Sequence, residues 1–170
     1  MIMLIAPPEA LVKLTEPWNK FYSDSKLTET IVMFLHTAGV LIGGGIAISA
    51  DRFTLRARNW GDAERRHHVT ELSKLHRVVV TSLGLTAITG VAMFCSDVET
   101  FWGSWIFWAK MAVVTGLLLN GARMLGVEKG LAADSSGASP YWAKLRTNAM
   151  TSMTLWLTAT LAGLALVNYA

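Results

Sequence analysis

Four stretches of the chain are almost free of charge, and they alternate with short segments that hold nearly all of it. The runs are Thr30 to Ala50, Val78 to Ser96, Thr100 to Ala122 and Thr147 to Ala170. Each is close to the roughly 20 residues that a helix needs to cross a hydrocarbon core. The pattern predicts an all-α integral membrane bundle of four transmembrane helices, over residues 29–50, 73–96, 100–123 and 147–169. Residues 1–28 are expected to form an interfacial segment, with Leu11, Leu14, Trp18 and Phe21 dipping into the bilayer surface. The opening MIMLIAPPEALVKL lacks a basic stretch and is broken by Pro7 and Pro8, so it is a poor secretory signal and is expected to be retained. From Asp62, read as an N-cap, Val69, Leu72, Leu75 and Val79 recur at helical spacing, so the second helix is expected to start well before its apolar core.

Composition agrees with this pattern. Of 170 residues, 52% are hydrophobic and 16% charged, with a mean hydropathy of +0.40. Those values exclude an ordinary soluble domain of this size. The net charge of +3 does not point to nucleic acid, because the basic residues stand beside membrane crossings and among Asp51, Asp62, Glu64 and Glu71. Arg52, Arg56, Arg58, Arg65 and Arg66 fall between the first two spans; Arg123, Lys129, Lys144 and Arg146 fall between the last two. Both loops, 51–72 and 124–146, are therefore expected to be cytoplasmic and both termini outside. Ala132 to Pro140 reads as a flexible turn. Trp102, Trp105 and Trp108, with Phe101 and Phe107, mark the outer headgroup level. The single Cys95 has no partner for a disulfide or a CxxC site and reads as a buried thiol.

One charge breaks the third run: Lys110. A mid-bilayer ammonium costs roughly 2.5 to 3.5 kcal/mol on insertion scales, so it should face protein, a partner or a ligand. His36, in the first run, is the natural residue to consider with it. Counted from Glu29 and Glu99, His36 lies roughly 10 Å and Lys110 about 16 Å inside the outer boundary. Gly39, Gly43 and Ala47 continue along the face beneath His36. That face could accept a flat macrocycle or a closely packed helix, and the GxxxG spacing of Gly39 and Gly43 favours the helix. His76 should lie about 15 Å deeper than His36, which prevents the two from sharing one iron. It reads as an interfacial histidine beside Arg77, and His67 and His68 as solvated. The eight methionines read as packing residues rather than soft-metal ligands.

A first helix reading HTAGVLIGGGIAISADR, Thr89-Gly90 near the end of the second and FWAK in the third resemble the small four-helix bacterial membrane proteins grouped around copper-resistance protein D and the HemJ-type protoporphyrinogen oxidases. The resemblance covers about three of the four helices; Met1 to Leu27 is an addition to that pattern. It implies a functional histidine in helix one and a lysine in helix three, here His36 and Lys110, an acidic and basic pair at Asp51 and Arg52, a b-type haem in one branch, and a bacterial inner membrane. On that reading His36 is the iron ligand, Lys110 neutralises a propionate or acts on a bound quinone or porphyrin, Gly39 and Gly43 border the group, and Met93, Met111 or Lys110 is available for the sixth position. Two other classes stand beside it. One is a cofactor-free accessory subunit of a larger membrane complex, or a homo-oligomer, in which Lys110 pairs with a partner's carboxylate. The other is a metal or solute transporter, for which His36, Lys110 and Asp51 must line one path.

Overall fold

A computed structural model describes residues 6–57, 60–133 and 141–169, and among these every regular element is a helix. In chain order they are α1 (Glu9–Asp24), α2 (Lys26–Arg56), α3 (Asp62–Ser96), α4 (Val98–Gly103), α5 (Trp105–Ala133) and α6 (Tyr141–Tyr169). Four of them, α2, α3, α5 and α6, are long and apolar enough to cross a membrane. All four extend beyond the uncharged runs, because charged helix formers continue the backbone pattern once the apolar stretch has ended. The expected turn from Ala132 to Pro140 lies mostly outside the described residues.

The ends of the helices follow local chemistry. Ser25 caps α2, its hydroxyl accepting from the Thr28 N–H at 3.2 Å. α3 does start at Asp62, but Gly61 occupies the cap position, and the Glu64 carboxylate accepts from the Gly61 N–H at 3.1 Å. The third span does not run unbroken from residue 100. Asp97 caps the six-residue α4, and extended backbone at Ser104 separates it from α5. Phe101 and Trp102 therefore belong to a different helix from Trp105, Phe107 and Trp108, and the two groups fold together: Phe107 stands 5.9 Å from Phe101, and the Trp108 indole donates to the Trp102 carbonyl.

α2 packs extensively on α3 and on α6, and α6 on α5, whereas α3 and α5 touch only sparsely. The bundle is thus nearly closed, with a cleft left between α3 and α5. α1 lies against the C-terminal end of α3, where the Trp18 indole donates to the Ala92 carbonyl at 2.7 Å. Trp18 thus ties α1 to α3, while Leu14 and Phe21 face outward. The α1 and α4 side is called the α4 end below, and the opposite, arginine-rich side the basic end.

Polarity in this bundle is distributed inside out. Phe34, Leu41, Ile88, Val91, Leu161 and Val167 are all more than half exposed. Buried positions include Thr54, Ser82, Thr89, Asn120 and Ser152. Exposed threonines such as Thr81, Thr115, Thr154 and Thr158 turn their hydroxyls onto the carbonyl four residues back, so the outer surface offers few free polar groups. Water would select the reverse arrangement. At the basic end Ala50, Leu72, Met124, Val127, Leu131 and Leu145 pack together as a cluster of buried apolar side chains.

Candidate functional site

The sequence places chemistry on one face of α2, and the structure shows what that face meets. From the α4 end it carries His36, Gly39, Gly43, Ala47, Asp51 and Thr54, at intervals of three or four residues. Gly39 lies against Thr86 and the Ser82 carbonyl of α3, and a Cβ there would collide with the Thr86 hydroxyl. At Gly43 a Cβ would fall 2.9 Å from that of Ser82. α3 packs on this face at Gly39 and Gly43, which provide the close helix approach that the GxxxG spacing allows. Gly44 does the same toward α6, with the Trp156 ring 2.9 Å from where its Cβ would stand.

His36 is half-buried at the α2–α3 seam. Its Nδ1 is 3.0 Å from the Thr86 carbonyl and 3.2 Å from the Thr89 hydroxyl, and its Cε1 edge rests against Gly90. A carbonyl can only accept, so Nδ1 carries the proton and donates. The lone pair then sits on Nε2, which bonds to none of the described residues. Lys110 lies within electrostatic range of His36 but makes no hydrogen bond to it. Its stem crosses to α6, with Nζ 3.6 Å from the position of a Gly163 Cβ. Because the helix axis restarts after Ser104, Lys110 is about 8 Å along α5 instead of 16 Å along one continuous span. Among the described residues it has no acidic partner. Met111 is adjacent to Lys110 on α5, and consecutive helical residues project in different directions, so the two do not converge on one point.

The second cluster, toward the basic end, was largely missed by sequence reasoning. Asp51 is 2% exposed; the Ser152 hydroxyl reaches its carboxyl, and Oδ2 has no hydrogen-bond partner. His76 is within electrostatic range of Asp51, and its Nδ1 is 3.7 Å from Oε1 of the buried Glu128. It is therefore a member of a buried polar cluster and not an interfacial histidine beside Arg77. Asn120, 4% exposed, donates to the Asn148 carbonyl and ties α5 to α6. His68 is not solvated either: it bonds the buried Thr54 hydroxyl at 2.9 Å and stands edge-on to Trp60 at 5.4 Å. His67 is exposed as expected. A cavity of about 240 Å³ adjoins the cluster, with Asp51, His76, Asn120 and Ser152 as its polar wall and Trp156 among its apolar lining.

The two clusters are separate. His36 bonds Thr86, ten residues beyond His76 on α3, a rise of about 15 Å, so the two imidazoles cannot share an iron. The cavity reaches neither His36 nor Lys110. No group of three or more His, Cys, Asp or Glu among the described residues is arranged to hold a metal ion. Cys95 is half-buried and free. One signal for the missed residues was present: Asp51 and Thr54 continue the small-residue face below His36, and Ser82, Thr86 and Thr89 form a polar stripe at matching spacing on α3. No protein-family model, curated protein or solved structure matches the chain with significance.

Proposed function

We propose that the chain is an integral membrane redox protein that holds a b-type haem toward its α4 end, with His36 as axial ligand and Lys110 as the charge partner of a propionate. The observation that carries this reading is the tautomer of His36. Iron-ligating histidines almost always donate the other ring N–H to a carbonyl or carboxylate, which fixes the ring and directs the remaining lone pair at the metal. Thr86 supplies that carbonyl, Thr89 a second acceptor, and Nε2 is left available. The donor chemistry fits the group on the His36 side, and an unpaired ammonium fits an anionic substituent. Bound haem would supply one-electron chemistry. The chain itself holds the Nδ1 proton in place, offers Nε2, and keeps a positive charge near the same depth.

The membrane placement is supported by four long apolar helices and an apolar exterior. Arg52, Arg56, Arg65, Lys74, Arg77, Arg123 and Lys144 gather at the basic end, which supports a cytoplasmic position for that end and an outer one for His36. An inner membrane of a bacterium is the setting this reading implies.

The test is an oxidised and dithionite-reduced spectrum of protein purified from cells supplied with haem precursor. A Soret band that disappears in His36→Ala, with the bundle still folded, is the expected result. A featureless spectrum, or an unchanged Soret band in the variant, overturns the assignment. The second reading, an accessory subunit, is favoured by the same unpaired Lys110, which would then meet a carboxylate of another chain. It predicts no Soret band and a stoichiometric partner that is lost in Lys110→Ala.

A further inference from the structure

The cavity at the basic end has three properties that together define a ligand. The first is an unmet need. Asp51 is 98% buried by side-by-side packing of α2, α3 and α6, lines the cavity, and keeps Oδ2 without a hydrogen-bond partner. Leaving such an atom unpaired costs about as much as the hydrogen bond it forgoes, and more for a charged group, so a donor is what this wall lacks. Ser152, His76 and Asn120 frame the same wall, and His76 is itself backed by Glu128.

The second property is size. About 240 Å³ is larger than the roughly 150 Å³ that encloses a benzene ring, yet far below what a porphyrin needs. One substituted six-membered ring fits. The remaining lining, including Leu75, Val79, Leu117 and Trp156, is apolar and suits the faces of such a ring.

The third is the direction of access. α3 and α5 touch sparsely, and the cavity residues on their facing edges are open to the outside: Val80 is 54% and Leu118 54% exposed. The mouth therefore points sideways out of the bundle. With the helices in a bilayer, it faces lipid tails, and a ligand reaches it from the hydrocarbon phase.

We infer that this cleft binds the head of a lipid-soluble phenol: a single hydroxylated ring whose O–H donates to the Asp51 carboxyl in its polar wall, with an apolar tail leaving between α3 and α5. Ser152 holds the carboxyl, and Glu128 beside His76 positions the imidazole along the polar wall. The inference rests on the membrane placement but not on the haem, since the cavity stops short of His36.

The test is saturable binding of radiolabelled 4-heptylphenol to lipid nanodiscs carrying the full chain, over that to empty nanodiscs. The wild type should bind the phenol and take its methyl ether, 4-heptylanisole, at least about tenfold more weakly, as befits loss of a hydrogen bond. Asp51→Asn should lose a similar factor for the phenol. Leu118→Trp, a change at the exposed mouth that leaves the core intact, should reduce binding by obstruction even if the Asp51 variant fails to fold. Equal affinity for phenol and ether, or wild-type affinity in a folded Asp51→Asn, overturns the proposal, as does the absence of excess binding. Resistance of the chain to alkaline extraction from membranes checks the placement separately, so a failure of that premise is distinguishable from a failure of the site.

Discussion

The α4 end and the basic end of this bundle each hold a histidine in a polar setting, and they satisfy it by different means. At the α4 end the partners of His36 are a backbone carbonyl and a hydroxyl of one neighbouring helix, both of which are local to the α2–α3 seam. At the basic end His76 belongs to a cluster contributed by four helices: Asp51 from α2, His76 itself from α3, Glu128 from α5 and Ser152 from α6. The first arrangement needs only one helix pair to be correctly packed. The second exists only when all four helices are in place, and it still leaves Asp51 Oδ2 and Glu128 Oε1 without hydrogen bonds. A site that spans every helix and is incompletely satisfied is more sensitive to packing than a site built within one seam.

Trp156 stands between the two regions, packed on Gly44 and lining the cavity. The largest effect is expected from Trp156→Ala, which should destabilise the bundle by about 3–5 kcal/mol and enlarge the cleft toward the α4 end. Denaturant unfolding in mild detergent measures it; a loss below about 1 kcal/mol would mean that the two regions are not divided by this ring. Next comes Gly39→Leu, whose side chain must displace Thr86. A cost of about 1–3 kcal/mol or more is expected, together with loss of the His36 hydrogen bonds, seen as a changed imidazole NMR signal.

The basic-end cluster should respond more strongly to loss of its histidine than the α4 end does to loss of a hydroxyl. His76→Ala leaves the buried Glu128 without its neighbour and should cost about 1–3 kcal/mol. Thr89→Val removes one of two acceptors at His36 and should cost only about 0.5–1.5 kcal/mol. If the order of these two is reversed in unfolding experiments, the contrast between a distributed and a local site fails. The smallest effect belongs to the last glycine of the Gly43-Gly44-Gly45 run. Nothing lies within 4 Å of a Cβ built on Gly45. Gly45→Ala should therefore stabilise by roughly 0.5–1 kcal/mol through helix propensity, whereas the same change at Gly44 should destabilise. A Gly45 variant that unfolds earlier would reveal a neighbour on that face.

The legible part of the candidate site was the part carried by conspicuous residues in apolar surroundings. His36 and Lys110 stand out because each is alone in an uncharged run. Asp51 entered only as a loop charge, as half of a pair implied by resemblance and as part of a transport path, and Glu128, Asn120 and Ser152 not at all, because Asp51 and Glu128 sit where the sequence turns polar and look like the start of loops. Helices that run past their apolar cores turned those apparent loop residues into buried ones. The break at Ser104 was missed for a similar reason: aromatic residues continue through it, so hydropathy does not change where the backbone does.

The number, type and approximate extent of the long helices, and the dominance of apolar side chains, are properties of the sequence alone, since helical hydrogen bonds are local and the length of each apolar run is set residue by residue. Which faces meet, and therefore that α3 covers Gly39 and Gly43 while α3 and α5 part to leave a cleft, was decided only by tertiary packing. Burial of a polar group depends on what the other three helices place around it, and no single helix's periodicity contains that information.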